Sequence, residues 1–422
     1  MLIPSDLLKD KKILLGVTGS IAVYKSLELV RLFTKAGADV KVIMSQSAKK
    51  FVTPLSFETL TGNKVLDDTN ESWVDEHNHI KTTEWADIFV IAPATANTIA
   101  KLANAIADNI LLQCALAYPD TKILAPSANT NMIENPITKA NIKMLAIANY
   151  EMVETQTKEL ACKTTGNGAM AEPIDIFWQT CRALLKDDFY SDRKVILTGG
   201  GTIEKIDDVR YLSNFSSGKM ASSLATALYC RGADVNLIST KFEDNLPQDV
   251  HTIKVEDSKE MLEYLVASIR IAKKGKLSKA TLMNDEQIHL IQKQPYLFMV
   301  AAVSDYVPKY PQNGKLKKDT LGDEFELSLK KNIDILNSID KDGITTIGFK
   351  AEIDTENAIN NASNMYKNKN LDAVCLNILK DSSSFGTDTN KINFITDEKN
   401  ISLESSDKLS ISFDILDNAK KL

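Results

Sequence analysis

Two stretches of the chain repeat one grammar, and that repeat restricts the fold more than any other feature. Arg193 to Ser239 reads RKVILTGGGTIEKIDDVRYLSNFSSGKMASSLATALYCRGADVNLIS. A short apolar run, Val195 to Leu197, meets Thr198-Gly199-Gly200-Gly201, a helix pattern follows from Ser217 to Arg231, and a second apolar run covers Val235 to Ile238. Near the start, Lys12 to Val17 precedes Thr18-Gly19-Ser20, a helix pattern follows to Lys35, and Ala38 to Met44 forms the next strand. Strand, glycine turn, helix and strand close with a right-handed crossover onto a parallel sheet. One glycine turn after a strand is an ordinary tight turn; two in similar surroundings point to two nucleotide-binding α/β domains in series.

A chain of 422 residues has room for two or three domains, each with its own core. Its net charge of −6 and the absence of a Lys/Arg block argue against a nucleic-acid partner. No basic N-terminus leads into an apolar segment, and no apolar run is long enough to cross a membrane, so a cytoplasmic protein is expected. The five cysteines are odd in number and dispersed, which supports neither a disulfide framework nor a CxxC metal site. Four read as core residues. Cys162 differs, because Lys163, Thr164, Thr165, Gly166 and Gly168 place it in a polar loop where a thiol can be reached.

In the first half, Ser45-Gln46-Ser47 opens a helix pattern that runs through Phe51 into Pro54-Leu55, and its hydroxyls suit either a phosphate or an N-cap. His79, at the start of the amphipathic segment ending at Trp85, reads as a cap, a surface residue or a catalytic group. A buried strand, Ile88 to Ala92, ends in Pro93-Ala94-Thr95-Ala96-Asn97-Thr98, whose small side chains let a flat ring approach the backbone. Lys122 to Ala125 forms another strand, and Asn135-Pro136 starts a helix. Leu160 to Pro173 carries the glycines of a mobile lid.

These segments resemble the flavin-dependent cysteine decarboxylase family. The strings that carry the resemblance are GVTGSIA at 16–22, His79-Ile80, PATANT at 93–98, Ala107-Asp108-Asn109, Asn129 within PSANTNM, and Leu160-Ala161-Cys162. The resemblance implies FMN held by Gly19, Ser20, Ala22, Ser45, Ala94, Thr95 and Asn97. It also implies that His79 assists the oxidative step, Asn129 holds the substrate carboxylate and Cys162 protonates the product. Ala128, Ile133 and Ala169 depart from the family pattern, which has Met, an aromatic residue and Arg there. Loss of the Arg removes a bidentate contact to a substrate anion.

A charged run, Lys186 to Arg193, marks the boundary, giving domains at 1–186 and 187–422. The second half resembles phosphopantothenate-cysteine ligase through TGGGT at 198–202, IDDVR at 206–210, SNFSSGKM at 213–220, AAVSDY at 301–306, KLKK at 315–318 and GFKAE at 348–352. Taken whole, the chain resembles the bacterial bifunctional proteins of coenzyme A biosynthesis, with two open parallel-sheet, Rossmann-like α/β domains. That implies substrates 4'-phosphopantothenate, L-cysteine and CTP. It implies CTP contacts from Ala301, Asp305, Lys315, Lys318, Asn332, Asp334, Ile335, Phe349 and Lys369, with Asp305 also toward Mg²⁺. Asn214 is expected to turn over an acyl-cytidylate. Without the resemblance, the lysine run reads as a solvated face.

Ile333 replaces the family's Pro, and Met365 stands where a second Lys is usual. Phe298 to Val303 reads as a buried strand with Asp305 beyond it, and Gly348-Phe349 as the turn after another. Residues 270–294 read as a helical surface insertion, and Leu409 to Phe413 as a weak strand. The family also implies trimer-based contacts in the flavin domain and dimers of the ligase domain. Two other readings compete: an active ligase fused to a flavin-binding domain that no longer decarboxylates, and a dinucleotide oxidoreductase built on TGGGT. The latter lacks GxGxxG spacing.

Overall fold

The computed structural model describes residues 1–159, 165–278, 288–317, 324–379, 381 and 386–422. The chain divides into two compact units, with Ile3–Leu185 forming the bulk of one and Lys186–Leu277 with Leu290–Leu422 the bulk of the other.

The first unit is built on β1 (Lys12–Val17), β2 (Asp39–Met44), β3 (Ile88–Ala94), β4 (Lys122–Pro126) and β5 (Tyr150–Met152). They pair in parallel in the order β2-β1-β3-β4-β5. Every residue of β3 is buried, as a strand covered by helices on both faces requires. The helix Val23–Lys35 packs on this sheet through Val23, Ser26, Leu29, Val30 and Phe33, a spacing of three and four residues. Burying Leu29 or Phe33 contributes roughly 1.5–3 kcal/mol each. The strand order reverses between β1 and β3, so their carboxyl ends flank a crevice. A two-stranded ladder, β6 (Gln156–Glu159) and β7 (Thr165–Ala169), completes the unit.

The helix expected from Ser45 into Leu55 is two pieces, a 3₁₀ turn at Ala48–Lys50 and a helix at Pro54–Thr61. Pro54 forces the break: Thr53 before it is extended (φ −81°, ψ 153°), and the ring fits only at the new helix's first position.

The second unit contains β8 (Lys194–Gly199), the small antiparallel pair β9 (Glu204–Lys205) and β10 (Tyr211–Leu212), β11 (Asp234–Ser239) and β12 (His251–Lys254). There follow β13 (Lys276–Leu277), β14 (Leu290–Ile291), β15 (Tyr296–Met299), β16 (Tyr306–Pro308), β17 (Leu329–Lys331) and β18 (Thr345–Glu352). β19 (Ala373–Ile378), β20 (Thr389–Ile395) and β21 (Asn400–Asp407) end the series. The main sheet runs β12-β11-β8-β15-β18-β19-β20-β21. It is parallel as far as β19 and antiparallel over the last two pairings, so the expected parallel sheet is a mixed one. β19, β20 and β21 follow one another directly, and chain reversals of this kind pair strands antiparallel.

Four local expectations change here. β15 stops at Met299, and beyond it only Ala302 bridges to Gly201. Gly348 and Phe349 lie inside β18. The helix entering 270–294 ends at Ala272, and the described flanks pair as β13 and β14. Leu409 to Phe413 belongs to the helix Lys408–Ala419. Its LSISF alternation imitates a strand, but burial continues at Ile415, Leu416 and Ala419, and the Asp407 carboxylate accepts from the amides of Leu409 and Ser410.

Gly200 fixes the turn after β8. Its φ is +73°, and a Cβ there would lie 2.1 Å from Thr240 Oγ1, a hydroxyl already donating to Gly201 O at 3.0 Å. Gly200→Ala is therefore expected to cost about 1–3 kcal/mol in urea unfolding. An unchanged midpoint would count against this account of the turn.

Candidate functional sites

At the crevice of the first unit, Thr18 ties two strand ends together. Its buried hydroxyl donates to Pro93 O (2.7 Å) and accepts from Thr95 N (3.1 Å). Ser20 Oγ meets Ser127 Oγ at 2.9 Å, which joins the turn after β1 to the end of β4. The same Ser20 oxygen accepts from Ala22 N (3.2 Å). Thr95 caps the helix Ala96–Ala103 by accepting from Thr98 N, and Asn97 is exposed in that helix's first turn. A Cβ on Gly19 would lie 2.4 Å from Ser47 Cβ, so the turn holding Ser45 packs against the glycine. Ser45 Oγ accepts from Ala48 N (3.3 Å). Gly19, Ser20, Ala22, Ser45, Ala94, Thr95 and Asn97 thus gather around the strand ends, and hydroxyls, helix amides and a small-residue wall suit a flat ring with a phosphate.

His79 sits in a different setting. Asn78, almost wholly buried, caps its helix by accepting from Ile80 N and Lys81 N. His79 Nδ1 is 2.7 Å from Glu71 Oε1, and Trp73 lies edge-on at 5.6 Å between ring centroids. The imidazole holds the Glu71 carboxyl below the usual carboxylate range. Glu71 escaped the sequence reading, because an acid eight residues away across a loop leaves no periodic signal.

Asn129 caps the short helix Thr130–Glu134 by accepting from Asn131 N (3.0 Å). The ladder of β6 and β7 rests against the same loop. Ala128 N donates to Gly168 O (3.1 Å), and Cβ atoms built on Gly166 and Gly168 would lie 2.2 Å from Thr130 Oγ1 and Ala128 O. Cys162 lies outside the described residues, in the sequence joining Glu159 to Thr165. Ile133 is buried, and Ala169 pairs with Gln156.

In the second unit one cavity of about 580 Å³ is lined by Ala301, Asp305, Asn332, Asp334, Ile335, Phe349 and Lys369. These residues come from four segments. Asn332 does the joining: its Nδ2 donates to Ser304 O (2.7 Å) and Ser258 Oγ (3.0 Å), and its amide to Asp305 O (2.8 Å). Lys369 Nζ is 3.3 Å from Asp334, which also caps the helix Ile335–Ser338. Lys315 does not line this cavity, and Lys318 is outside the described residues. Ser258 and Lys350 were not anticipated: the first lies 74 residues from its partner Asn332, and the second is a charged residue inside a strand.

A smaller cavity of about 170 Å³ shares Ala301, Ala302, Phe349 and Lys350 with the first and adds Ser216, Ser217 and Gly218 before the helix Lys219–Cys230. Asn214 Nδ2 donates to Val303 O (3.0 Å), which places this side chain beside the shared wall. A hollow between Asp340, Lys341 and Asp372 lies toward the amino ends of the strands and holds none of the expected residues.

Among the described residues no group of three or more His, Cys, Asp or Glu side chains could hold a metal, and no helix is long and apolar enough to cross a membrane. Cys114, Cys181, Cys230 and Cys375 are buried.

The family model described as Flavoprotein matches residues 2–185, and that of the DNA/pantothenate metabolism flavoprotein C-terminal domain matches 190–276 and 272–422. The chain is 34% identical over 414 residues to the coenzyme A biosynthesis bifunctional protein CoaBC of Borreliella burgdorferi, covering 97% of this chain and 98% of that one. It is 34% identical over 425 residues to the protein of the same name from Haemophilus influenzae, and 34% over 417 residues to that of Bacillus subtilis, each match covering 97% of both chains.

Proposed function

Because this chain belongs to the CoaBC family of bifunctional coenzyme A biosynthesis proteins and carries both a decarboxylase and a ligase activity, we propose that residues 1–186 hold the FMN-dependent decarboxylase and residues 187–422 the CTP-dependent ligase. The ligase joins 4'-phosphopantothenate to L-cysteine, and the decarboxylase converts the product to 4'-phosphopantetheine in the cytoplasm. The observation that carries this reading is the 580 Å³ cavity, where seven of the nine expected nucleotide residues converge from remote parts of the sequence.

In the ligase, CTP activates the carboxylate as an acyl-cytidylate, releasing pyrophosphate, and the cysteine amine then displaces CMP. Phe349 offers an aromatic face to the base, and Lys369, oriented by Asp334, offers a cation to the phosphates. The lysine run at 315–318 adds charge from the loop between β16 and β17. Asp305, which lines the cavity, would be the protein carboxylate for a Mg²⁺ that neutralises the triphosphate, since the cation commonly uses one or two carboxylates plus substrate phosphates. EDTA is accordingly expected to stop pyrophosphate release and to leave decarboxylation of supplied phosphopantothenoylcysteine unchanged.

In the decarboxylase, bound FMN supplies oxidation of the thiol-bearing carbon and the later return of both electrons. Ser20 and Thr95, fixed at the strand ends by Ser127 and Thr18, would hold the cofactor with the amides beside them. Glu71 fixes the His79 ring through Nδ1, which leaves Nε2 for proton exchange in the oxidative step. Asn129 holds the carboxylate that leaves, and Cys162 donates the final proton. The flavin units act as trimer-based assemblies and the ligase units as dimers.

The test supplies purified protein with 4'-phosphopantothenate, cysteine, magnesium and CTP. Pyrophosphate, CO₂ and 4'-phosphopantetheine are expected in equal amounts, with a flavin spectrum. Turnover with ATP and none with CTP would remove the nucleotide assignment, and a colourless preparation that still decarboxylates would remove FMN.

A further inference from the structure

The loop that carries the lysine run leaves the ligase cavity at Tyr306 and returns to it at Lys331, and both residues line the cavity. Its first arm is laced to the turn between β9 and β10. Gln312 N donates to Ile206 O (3.0 Å), Gly314 N to Asp208 Oδ2 (2.7 Å) and Leu316 N to Asp207 Oδ2 (3.0 Å). Asp207 is buried at 2% exposure and serves both partners. Its Oδ1 accepts from Val209 N (2.9 Å) and Arg210 N (2.7 Å), and its Oδ2 accepts from the Arg210 guanidinium as well as from Leu316. Arg210 Nη2 closes the circuit by donating to Leu316 O (2.9 Å).

The geometry points to Asp207 as a positioning residue for ligation: its carboxylate locks the arm at 312–316 to the β9–β10 turn and so fixes where Lys315 and Lys317 stand relative to the nucleotide. A carboxylate is needed because every group converging on it is a donor. The Arg210 guanidinium, the largest influence, keeps that carboxyl far below the usual carboxylate range, so the lock stays closed across neutral pH. Asparagine would turn an NH₂ toward Arg210 or Leu316 and leave donors without an acceptor. The inference rests on the ligase reading above.

Asp207→Asn is expected to raise KM for CTP about tenfold, the equivalent of one lost charge-assisted contact. The kcat at saturating CTP and KM for cysteine should stay within about twofold of the parent. Tryptic cleavage after Lys315 and Lys317 should quicken about tenfold as the arm is released. Asp208→Ala removes the side-chain bond to Gly314 and leaves the bonds made by Asp207 in place, and it is expected to shift both readouts the same way by a smaller factor. Parental KM and parental cleavage rates in both variants would overturn the proposal. So would a general fall in kcat with new cleavage throughout the unit, the mark of a merely structural residue. Should the parent consume no CTP, the ligase reading fails by itself, and the cleavage rates still decide the role of Asp207.

Discussion

Cys162→Ala is expected to lower release of the saturated thiol by about 10²–10⁴-fold, while the purified variant is as yellow as the parent before substrate is added and CO₂ still leaves in the first turnover. Once the carboxylate has departed, the substrate carbon is unsaturated and must take up a hydride equivalent and a proton. A thiol with an ordinary pKa near 8.5 is protonated at neutral pH and acidic enough to give that proton. The proposed role is supported by the ladder whose two strands flank this residue in the sequence. Glu159 pairs with Thr165, and next along β7, Gly166 closes against Thr130, one residue from Asn129. On the proposed roles, the proton donor and the carboxylate holder would serve one substrate. Mass analysis should find the unsaturated thiol accumulating in the variant. Normal release of the saturated product would remove Cys162 from the acid role.

What the sequence made legible follows from range. The first unit's strands and the helix Val23–Lys35 are local patterns of apolar residues, and Asn135-Pro136 announces the helix Pro136–Ile147 by its cap alone. The second unit shows where that signal fails. β18 reads TTIGFKAE, and its later half carries a lysine and a glutamate, so nothing local reveals that Phe349 lies within a strand. Those two charged side chains pair with each other, and Asn361 also donates to Glu352, a satisfaction that only the neighbouring helix Ala358–Asn368 provides. The pairs Glu71–His79, Ser258–Asn332 and Asp207–Leu316 are likewise tertiary, and each links residues that a periodic pattern does not connect.

The wall between the two ligase cavities gives the second large effect. Asn214→Ala is expected to lower ligase turnover by about 10²-fold. Asn214 is anchored through Nδ2 on Val303 O, and a Cβ on Gly201 would lie 2.6 Å from its backbone oxygen, so the TGGGT turn admits it only because Gly201 has no side chain. Immediately after it, Ser216, Ser217 and Gly218 line the smaller cavity, and Gly218 takes φ +77° to open the helix Lys219–Cys230. An acyl-cytidylate formed with its nucleotide in the larger cavity and its pantothenoyl part in the smaller would cross the wall beside Asn214. Attack by the cysteine amine would then place charge on the acyl oxygen, and on the proposed role the second Nδ2 hydrogen of Asn214, the one not donated to Val303 O, would favour that charge over the uncharged carbonyl. Loss of the amide should spare the first half-reaction. Rapid quench is expected to show a full burst of pyrophosphate, accumulation of the acyl-cytidylate and slow CMP, with decarboxylation of supplied phosphopantothenoylcysteine untouched. CMP release at the parental rate would move the second half-reaction away from Asn214. A missing pyrophosphate burst would place the residue in carboxylate activation instead.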